Sequence, residues 1–361
     1  MKPLYKARDG VCSRGWMFLG EQGGPCDKKC EFCYYAWQKN LVFYSLPTLM
    51  GHANLFRHYY GLTACDISGG EATIYKSIVE LVSHCSLIGL KPTIITHGQN
   101  NRDDWKLGRE RPLYQEIEDA GLEDWLISLH GGSASSHDAI LCQEGSFDRL
   151  IHGLSLVKRP VRFNTTLCKD NYKDLPINIL KDMPPTVWNP IMFNPFHAWS
   201  DKTGPTEIDF QAQYKDIAPY LAQAIEILEP LGWEINVRYW PLCIAKEFGF
   251  AENVSGYHQV PFDPWEWRLN VTLRSPMERI EADGGWYESE RKRAIDGMGP
   301  RSNETCDKCS LNRVCDSPPE QYQKKFGLSE LIPMNGEIET DPLCFQKTRM
   351  LLVKEGTCRQ E

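Results

Sequence analysis

Three cysteines sit close together in Pro25-Cys26-Asp27-Lys28-Lys29-Cys30-Glu31-Phe32-Cys33. The spacing C-x3-C-x2-C, with an aromatic residue before the third cysteine, puts three thiolates on one short loop. Iron–sulfur clusters are held by cysteine thiolates, usually four of them. Three would leave one iron of a [4Fe–4S] cube open to a small molecule, as a catalytic metal requires and a structural one does not. The other readings are a zinc loop, which usually pairs C-x2-C units, and three separate buried thiols. A second group lies near the other end: Cys306, Cys309 and Cys315 in C-x2-C-x5-C spacing. Cys243 and Cys344 compete as its fourth member. Four thiolates could close a second [4Fe–4S] cluster or a tetrahedral zinc knuckle.

The first loop resembles the signature of the radical S-adenosylmethionine (radical SAM) enzymes. The resemblance implies that the amine and carboxylate of S-adenosylmethionine chelate the open iron. An electron from the cluster then cleaves the sulfonium, and a 5′-deoxyadenosyl radical takes hydrogen from a substrate. Downstream, Ala64-Cys65-Asp66-Ile67-Ser68-Gly69-Gly70-Glu71 is similar to the family's second motif, whose backbone meets the amino group of S-adenosylmethionine. That match carries onto Gly69, Gly70 and Glu71. The order Ser128-Leu129-His130-Gly131, His137-Asp138, Phe147 and Val161-Arg162-Phe163-Asn164 resembles the molybdopterin-precursor cyclase and the peptide-modifying radical SAM enzymes. It implies that Ser128 and Asn164 touch S-adenosylmethionine; strand-end capping is the plainer reading of both. His97, His130 and His197 fall near strand ends. His130 and His197 are the candidates to move a proton after the radical step, against a plain lining role. The tail resembles the auxiliary-cluster regions called SPASM or, when shortened, twitch. It departs from the full pattern at Pro319, where a further cysteine would stand, so one auxiliary cluster is expected at Cys243, Cys306, Cys309 and Cys315.

These residues need a scaffold, and the intervening sequence alternates strand and helix signals. Gly15–Gly20, Ala64–Ser68, Pro92–Thr96, Trp125–Leu129, Val161–Leu167 and Val187–Phe193 read as buried strands. Ile78, Leu81, Val82 and Cys85 mark a helix between two of them, as do Leu113, Ile117 and Ala120. Phe147 to Val157 reads as another, with Ser146 as its N-cap. A longer helical pattern runs over 209–229. Strands alternating with helices give right-handed βαβ units and a parallel sheet. The expected fold is α/β, a partial (β/α)6 barrel of radical SAM type over residues 1–235. A small cysteine-rich extension follows over 236–361. In such barrels ligands gather at the C-terminal ends of strands, where Gly69, Gly70, Glu71, His97, Ser128, Asn164 and Asn194 fall. Trp265, Trp267 and Trp286 would pack onto the tail or line a cavity. Residues 1–25 lead directly into the loop, so no winged-helix peptide-binding unit is expected before it.

Composition bounds the rest. The chain has 361 residues, 24% charged and 42% hydrophobic, which is ordinary for a globular protein. No apolar run approaches the ~18 residues of a membrane helix, and no secretory signal is visible. Fourteen cysteines without an export signal argue for metal ligation and free thiols and against a disulfide framework. These features fit a cytoplasmic protein. A net charge of −8 with no basic run argues against a nucleic-acid substrate. The expected cofactors are an open-site [4Fe–4S] cluster, S-adenosylmethionine and an auxiliary [4Fe–4S] cluster. The expected partners are a small-molecule or natural-product substrate, with a ribosomal peptide as runner-up, and a reductant such as flavodoxin or ferredoxin. A non-catalytic iron–sulfur electron carrier is the reading from a different class. It would need neither a barrel nor ligand-binding strand ends.

Overall fold

The computed structural model describes residues 14–20, 23–33, 40–59, 62–100, 111–193, 210–256, 258–259, 267–271 (backbone only) and 303–346. His197, Asn194, Trp265, Trp286, Cys12 and Cys358 lie outside the described residues. In chain order the elements begin β1 (Arg14–Phe18), α1 (Leu46–Asn54), β2 (Ala64–Ser68), α2 (Ile78–Leu87), β3 (Lys91–Thr96) and α3 (Leu113–Asp119). There follow β4 (Asp124–Ser128), α4 (Ala134–Leu141), α5 (Ser146–Leu154), β5 (Val161–Leu167), α6 (Ile177–Asp182), β6 (Val187–Met192) and α7 (Tyr214–Leu228). The last are β7 (Glu234–Ile235), β8 (Val237–Arg238), α8 (Leu242–Glu247), β9 (Val254–Ser255), β10 (Trp267–Val271), α9 (Glu304–Asp307) and α10 (Glu320–Phe326). The α/β class is as expected, and each of the six strands read from the alternation is present. No helix among the described residues is long and apolar enough to cross a membrane.

The described residues fall into two compact units, those within 12–164 and 267–276, and those within 165–266 and 277–361. In the first, the strands run β10-β1-β2-β3-β4-β5, and every pair is parallel. Helices α2, α3 and the pair α4–α5 make the crossovers between successive strands. Parallel sheets are covered on both faces, so β2 and β4 are buried along nearly their whole length. The edge strand β10 pairs with β1 although 248 residues of chain, between Phe18 and Trp267, separate them. Its short sequence, Trp-Arg-Leu-Asn-Val, alternates apolar and polar residues, the period-2 signal of a strand. One local expectation is corrected. Ser146 is the first residue of α5 and its cap is Gly145, at φ +72°. The capping oxygen comes from Asp138 on α4, which accepts the Gly145 and Phe147 N–H groups at 2.6 and 2.7 Å.

In the second unit β6 pairs with β7 and β8, and β8 with β9, again all parallel. Its core is aromatic: Tyr214 packs on Trp240 and Tyr322 at ring separations of 5.0 and 4.6 Å. The first turn of α7 is satisfied by side chains from the tail. Tyr322 Oη accepts the Tyr214 N–H at 3.0 Å, and Glu330 Oε2 accepts the Lys215 N–H at 3.0 Å.

Charged side chains fill one end of the first unit's sheet. Arg14 from β1 donates to Asp66 of β2 at 2.6 Å and to Thr93 of β3 at 3.1 Å. Arg162 of β5 donates to Asp124 of β4 at 2.5 Å and to Thr93 at 3.1 Å. Thr93 in turn donates to Asp124. Asp66, Thr93 and Asp124 are register partners on successive strands. All five are buried. Two arginines and two aspartates cancel in charge, so the burial is tolerable only while the set is complete. Burial works against the Asp124 carboxylate, but the Arg162 guanidinium outweighs it and holds the carboxyl below its usual range. The sign follows. Stability drawn from Asp124 is fully present above the unfolded value of ~3.9 and is lost as pH falls through the folded one. Asp124→Asn should cost about 3 kcal/mol in denaturant unfolding at neutral pH, because Arg162 loses its nearest countercharge. The deficit should shrink as the pH is lowered below about 4. A deficit independent of pH would refute the charge-based account.

Candidate functional site

The cysteine loop and the Gly69-Gly70 turn are built into each other. Gly69 has φ +103° and Gly70 φ +63°, conformations that favour glycine. A Cβ on Gly69 would lie 1.9 Å from the Gly23 carbonyl oxygen, and one on Gly70 2.0 Å from that of Pro25. The Glu71 N–H donates to Pro25 O at 2.9 Å, and the Leu19 N–H donates to Ser68 O at 2.9 Å. The chain entering the loop therefore lies against the turn after β2 with no space for side chains between them. On the far side, the Glu31 N–H donates to Ile140 O at 3.0 Å, which ties the loop to the end of α4.

Cys26, Cys30 and Cys33 lie within electrostatic reach of one another. Burial, then the Glu71 charge, pushes the Cys26 thiol up to about 12. Burial and the neighbouring Cys33 and Cys26 put Cys30 well above the ordinary thiol value. Thiolates are thus unfavourable here unless a cationic group displaces their protons. Cys26 Sγ also accepts the Lys28 N–H at 3.4 Å.

Glu71 is buried, and donors occupy both its carboxylate oxygens. Oε1 accepts the Thr73 N–H at 3.0 Å and the Thr73 and Thr96 hydroxyls at 2.6 Å each. Oε2 accepts the His97 N–H at 3.0 Å. The side chain is a strut between the turn after β2 and the end of β3. His97 Nε2 reaches Asp27 Oδ1 at 2.8 Å, and Lys28 Nζ, from a buried side chain, reaches Asp27 Oδ2 at 2.7 Å. Burial alone would raise the Asp27 carboxyl. The hydrogen bond from His97, then that of Lys28 with its charge, outweigh it and hold the group well below the usual carboxylate range.

Ser128 and Asn164 are direct register partners at the ends of β4 and β5, and the Leu129 N–H donates to Asn164 O at 2.8 Å. Strand alternation puts Ser128 on the same face as Asp124, and Asn164 on the same face as Arg162. The charged network and the strand-end polar residues therefore share one face. His130 packs edge-on against Phe32, the aromatic residue of the cysteine motif, at 4.9 Å. Its backbone N–H donates to His137 Nδ1 at 3.2 Å, which leaves the neutral His137 ring its proton on Nε2. Burial, then His137, lowers His130 to about 3; burial lowers His137 to about 4. Both rings are neutral at physiological pH. The Asp27, Lys28, Thr96 and Asp138 roles carry no local sequence signal, since their partners come from other segments.

In the second unit, Cys243, Cys306, Cys309 and Cys315 line one cavity of about 370 Å³, together with His258, Arg313, Asp316 and Ile332. Cys243 comes from α8, Cys306 from α9, and the other two from the turns that follow. Backbone N–H groups point at the sulfurs: Leu242 to Cys315 at 3.2 Å, and Met334 and Leu311 to Cys309 at 3.3 and 3.5 Å. Burial is the largest influence raising Cys243, Cys306 (to about 11) and Cys315. Each of these three also feels at least one other cysteine of the set. Cys344 is not in this lining, and its charged neighbours are Glu339 and Asp341. Among the described residues, no three His, Cys, Asp or Glu side chains gather closely enough to hold a single metal ion.

Residues 23–173 match the model of the Radical SAM superfamily. Over 89 residues the chain is 33% identical to a PqqA peptide cyclase of Methylocella silvestris, covering 25% of this chain and 22% of that protein. Over 195 residues it is 23% identical to an S-adenosylmethionine-dependent nucleotide dehydratase of Flammeovirga pacifica, covering 49% of this chain and 62% of that one. The chain therefore spans less than two thirds of either relative's length. The solved structure of native anSMEcpe with bound AdoMet matches with a TM-score of 0.53 at 14% identity, over 95% of this chain and 97% of that one. This likeness is one of fold, and it is the radical SAM partial barrel expected from the strand–helix alternation.

The interlocked turns make a contrast. Gly69→Ala meets both a positive φ and a backbone oxygen, whereas Gly249→Ala meets a φ of +83° with nothing within 4 Å. Gly249→Ala should cost ~1–2 kcal/mol, the left-handed strain alone. Gly69→Ala should cost clearly more in denaturant unfolding or fail to give soluble protein. Equal costs would mean that the two turns are not in close contact.

Proposed function

We propose that the chain is a radical SAM enzyme whose Cys26, Cys30 and Cys33 hold a [4Fe–4S] cluster with one open iron. The observation that carries this reading is the interlock of the cysteine loop with the Gly69-Gly70 turn, which pack backbone against backbone with no room for a Cβ between them. When bound, the cluster and S-adenosylmethionine supply a one-electron cleavage that yields a hydrogen-abstracting 5′-deoxyadenosyl radical. The protein's part is to bind and orient. Gly69 and Gly70 present backbone to the amino group, Glu71 fixes that turn from behind, and Ser128 and Asn164 face the nucleotide from β4 and β5. His130, packed edge-on against Phe32, and His197 are the residues to which we assign proton transfer after the radical step.

For the second centre, we assign Cys243, Cys306, Cys309 and Cys315 to an auxiliary [4Fe–4S] cluster of SPASM or twitch type. What supports this reading is that the four thiols, Cys243 far in sequence from the other three, bound one cavity. Cys243 supplies the fourth ligand in preference to Cys344. The substrate we infer is a small molecule or natural-product precursor, with electrons from a flavodoxin or ferredoxin. A ribosomal peptide is the second reading, favoured by the stretch of identity to a peptide cyclase.

Anaerobic reconstitution should give about eight irons and eight sulfides per chain, falling to about four of each when Cys26, Cys30 and Cys33 are replaced by alanine. One zinc per chain would rule out the auxiliary cluster. With dithionite and S-adenosylmethionine, the reconstituted chain should release 5′-deoxyadenosine. Intact clusters without that release would leave the electron-carrier reading in its place.

A further inference from the structure

We propose that His97 is a positioning residue that latches the cysteine loop, donating its single ring proton to Asp27 between the first and second cysteines. The geometry assigns the tautomer. The Gln99 N–H donates to His97 Nδ1 at 3.2 Å, so Nδ1 is an acceptor and the proton resides on Nε2. That Nε2–H stands 2.8 Å from Asp27 Oδ1 and 3.3 Å from Glu71 Oε2. The ring cannot swing away easily. Its side chain is 7% exposed. Its own N–H is held by Glu71, and the next residue's N–H donates to Thr96 Oγ1 at 3.0 Å. Glu71 is meanwhile bonded through its N–H to Pro25, immediately before Cys26. The loop is thereby gripped on both sides of Cys26: by backbone at Pro25 and by side chain at Asp27. Lys28 completes the grip from within the loop, because its ammonium fills the second Asp27 oxygen. A loop that must present three sulfurs at fixed separations to one cube gains from being shaped before the metal arrives.

The link to cluster binding rests on the proposed function, but the latch itself can be measured without any metal. Local opening of a segment is read by amide hydrogen exchange. In the apo full-length chain, Asp27→Ala and His97→Ala should each speed exchange of the amides in residues 26–33 by about tenfold, the loss of one charge-assisted hydrogen bond. Exchange in β4 and β5 should be unchanged. The double variant should add little to either single one, as two halves of one contact do. His97→Gln, which keeps a donor near the Nε2 position, should restore most of the protection. Asp27 is on the accessible side, so its replacement leaves the fold intact even if His97→Ala does not. After reconstitution, the variants without the latch should release iron to a ferrous chelator several-fold faster from the N-terminal site than the parent does.

Unchanged loop exchange in Asp27→Ala, or fully additive effects of the two substitutions, would overturn the latch. A changed loop in a chain that takes up no iron at all would instead keep the latch and overturn the cluster assignment.

Discussion

Five neighbouring parallel strands are held by a buried set of two arginines, two aspartates and one threonine. Such a set has little freedom. Each charge is out of water, so each needs its partner at hydrogen-bond distance, and a slip of one residue in any strand would strand a charge among apolar side chains. Fixing Asp66, Thr93 and Asp124 in one row also fixes what stands a few residues further along the same face. There Ser128 and Asn164 stand side by side at the ends of β4 and β5, and β2 ends at the Gly69 turn. The polar floor thus works as a register device for the opposite end of the sheet, the end at which ligands of such barrels gather.

The cysteine loop depends on this alignment at one remove. It has almost no regular structure, and its shape comes from neighbours: the Gly69-Gly70 turn, the end of α4, and the strut of Glu71 and His97 at the end of β3. Each neighbour sits at a strand end or helix end whose position the register sets. Burial and the neighbouring charges raise the Cys26 and Cys30 thiols, so bare thiolates would be costly there.

Much of this was legible in the sequence, and the reasons differ by feature. The strands β3 and β4 could be read because each holds a short apolar run followed closely by glycine, and β2, β5 and β6 because they alternate with helical patterns. The cysteine motifs could be read because their members lie close together in sequence. That Cys243, and not Cys344, lines a cavity with Cys306, Cys309 and Cys315 needed the fold. What escaped were features whose partners are far apart in the chain. Arg14 and Arg162 each look like a surface charge beside a strand. Asp27 looks like loop filler until His97 is brought to it. Asp138 caps a helix to which it does not belong, and Ser146 looked the better cap only because capping rules weigh neighbours in sequence.

The pairing of β10 with β1 carries a cost for synthesis. While the chain emerges from the ribosome, β1 is made first and its edge partner almost last. Until residues 267–271 appear, one side of β1 offers bare backbone donors and acceptors to any passing strand. The nascent first unit is thus open along a seam for most of translation, and a chain truncated before that segment would keep the seam permanently.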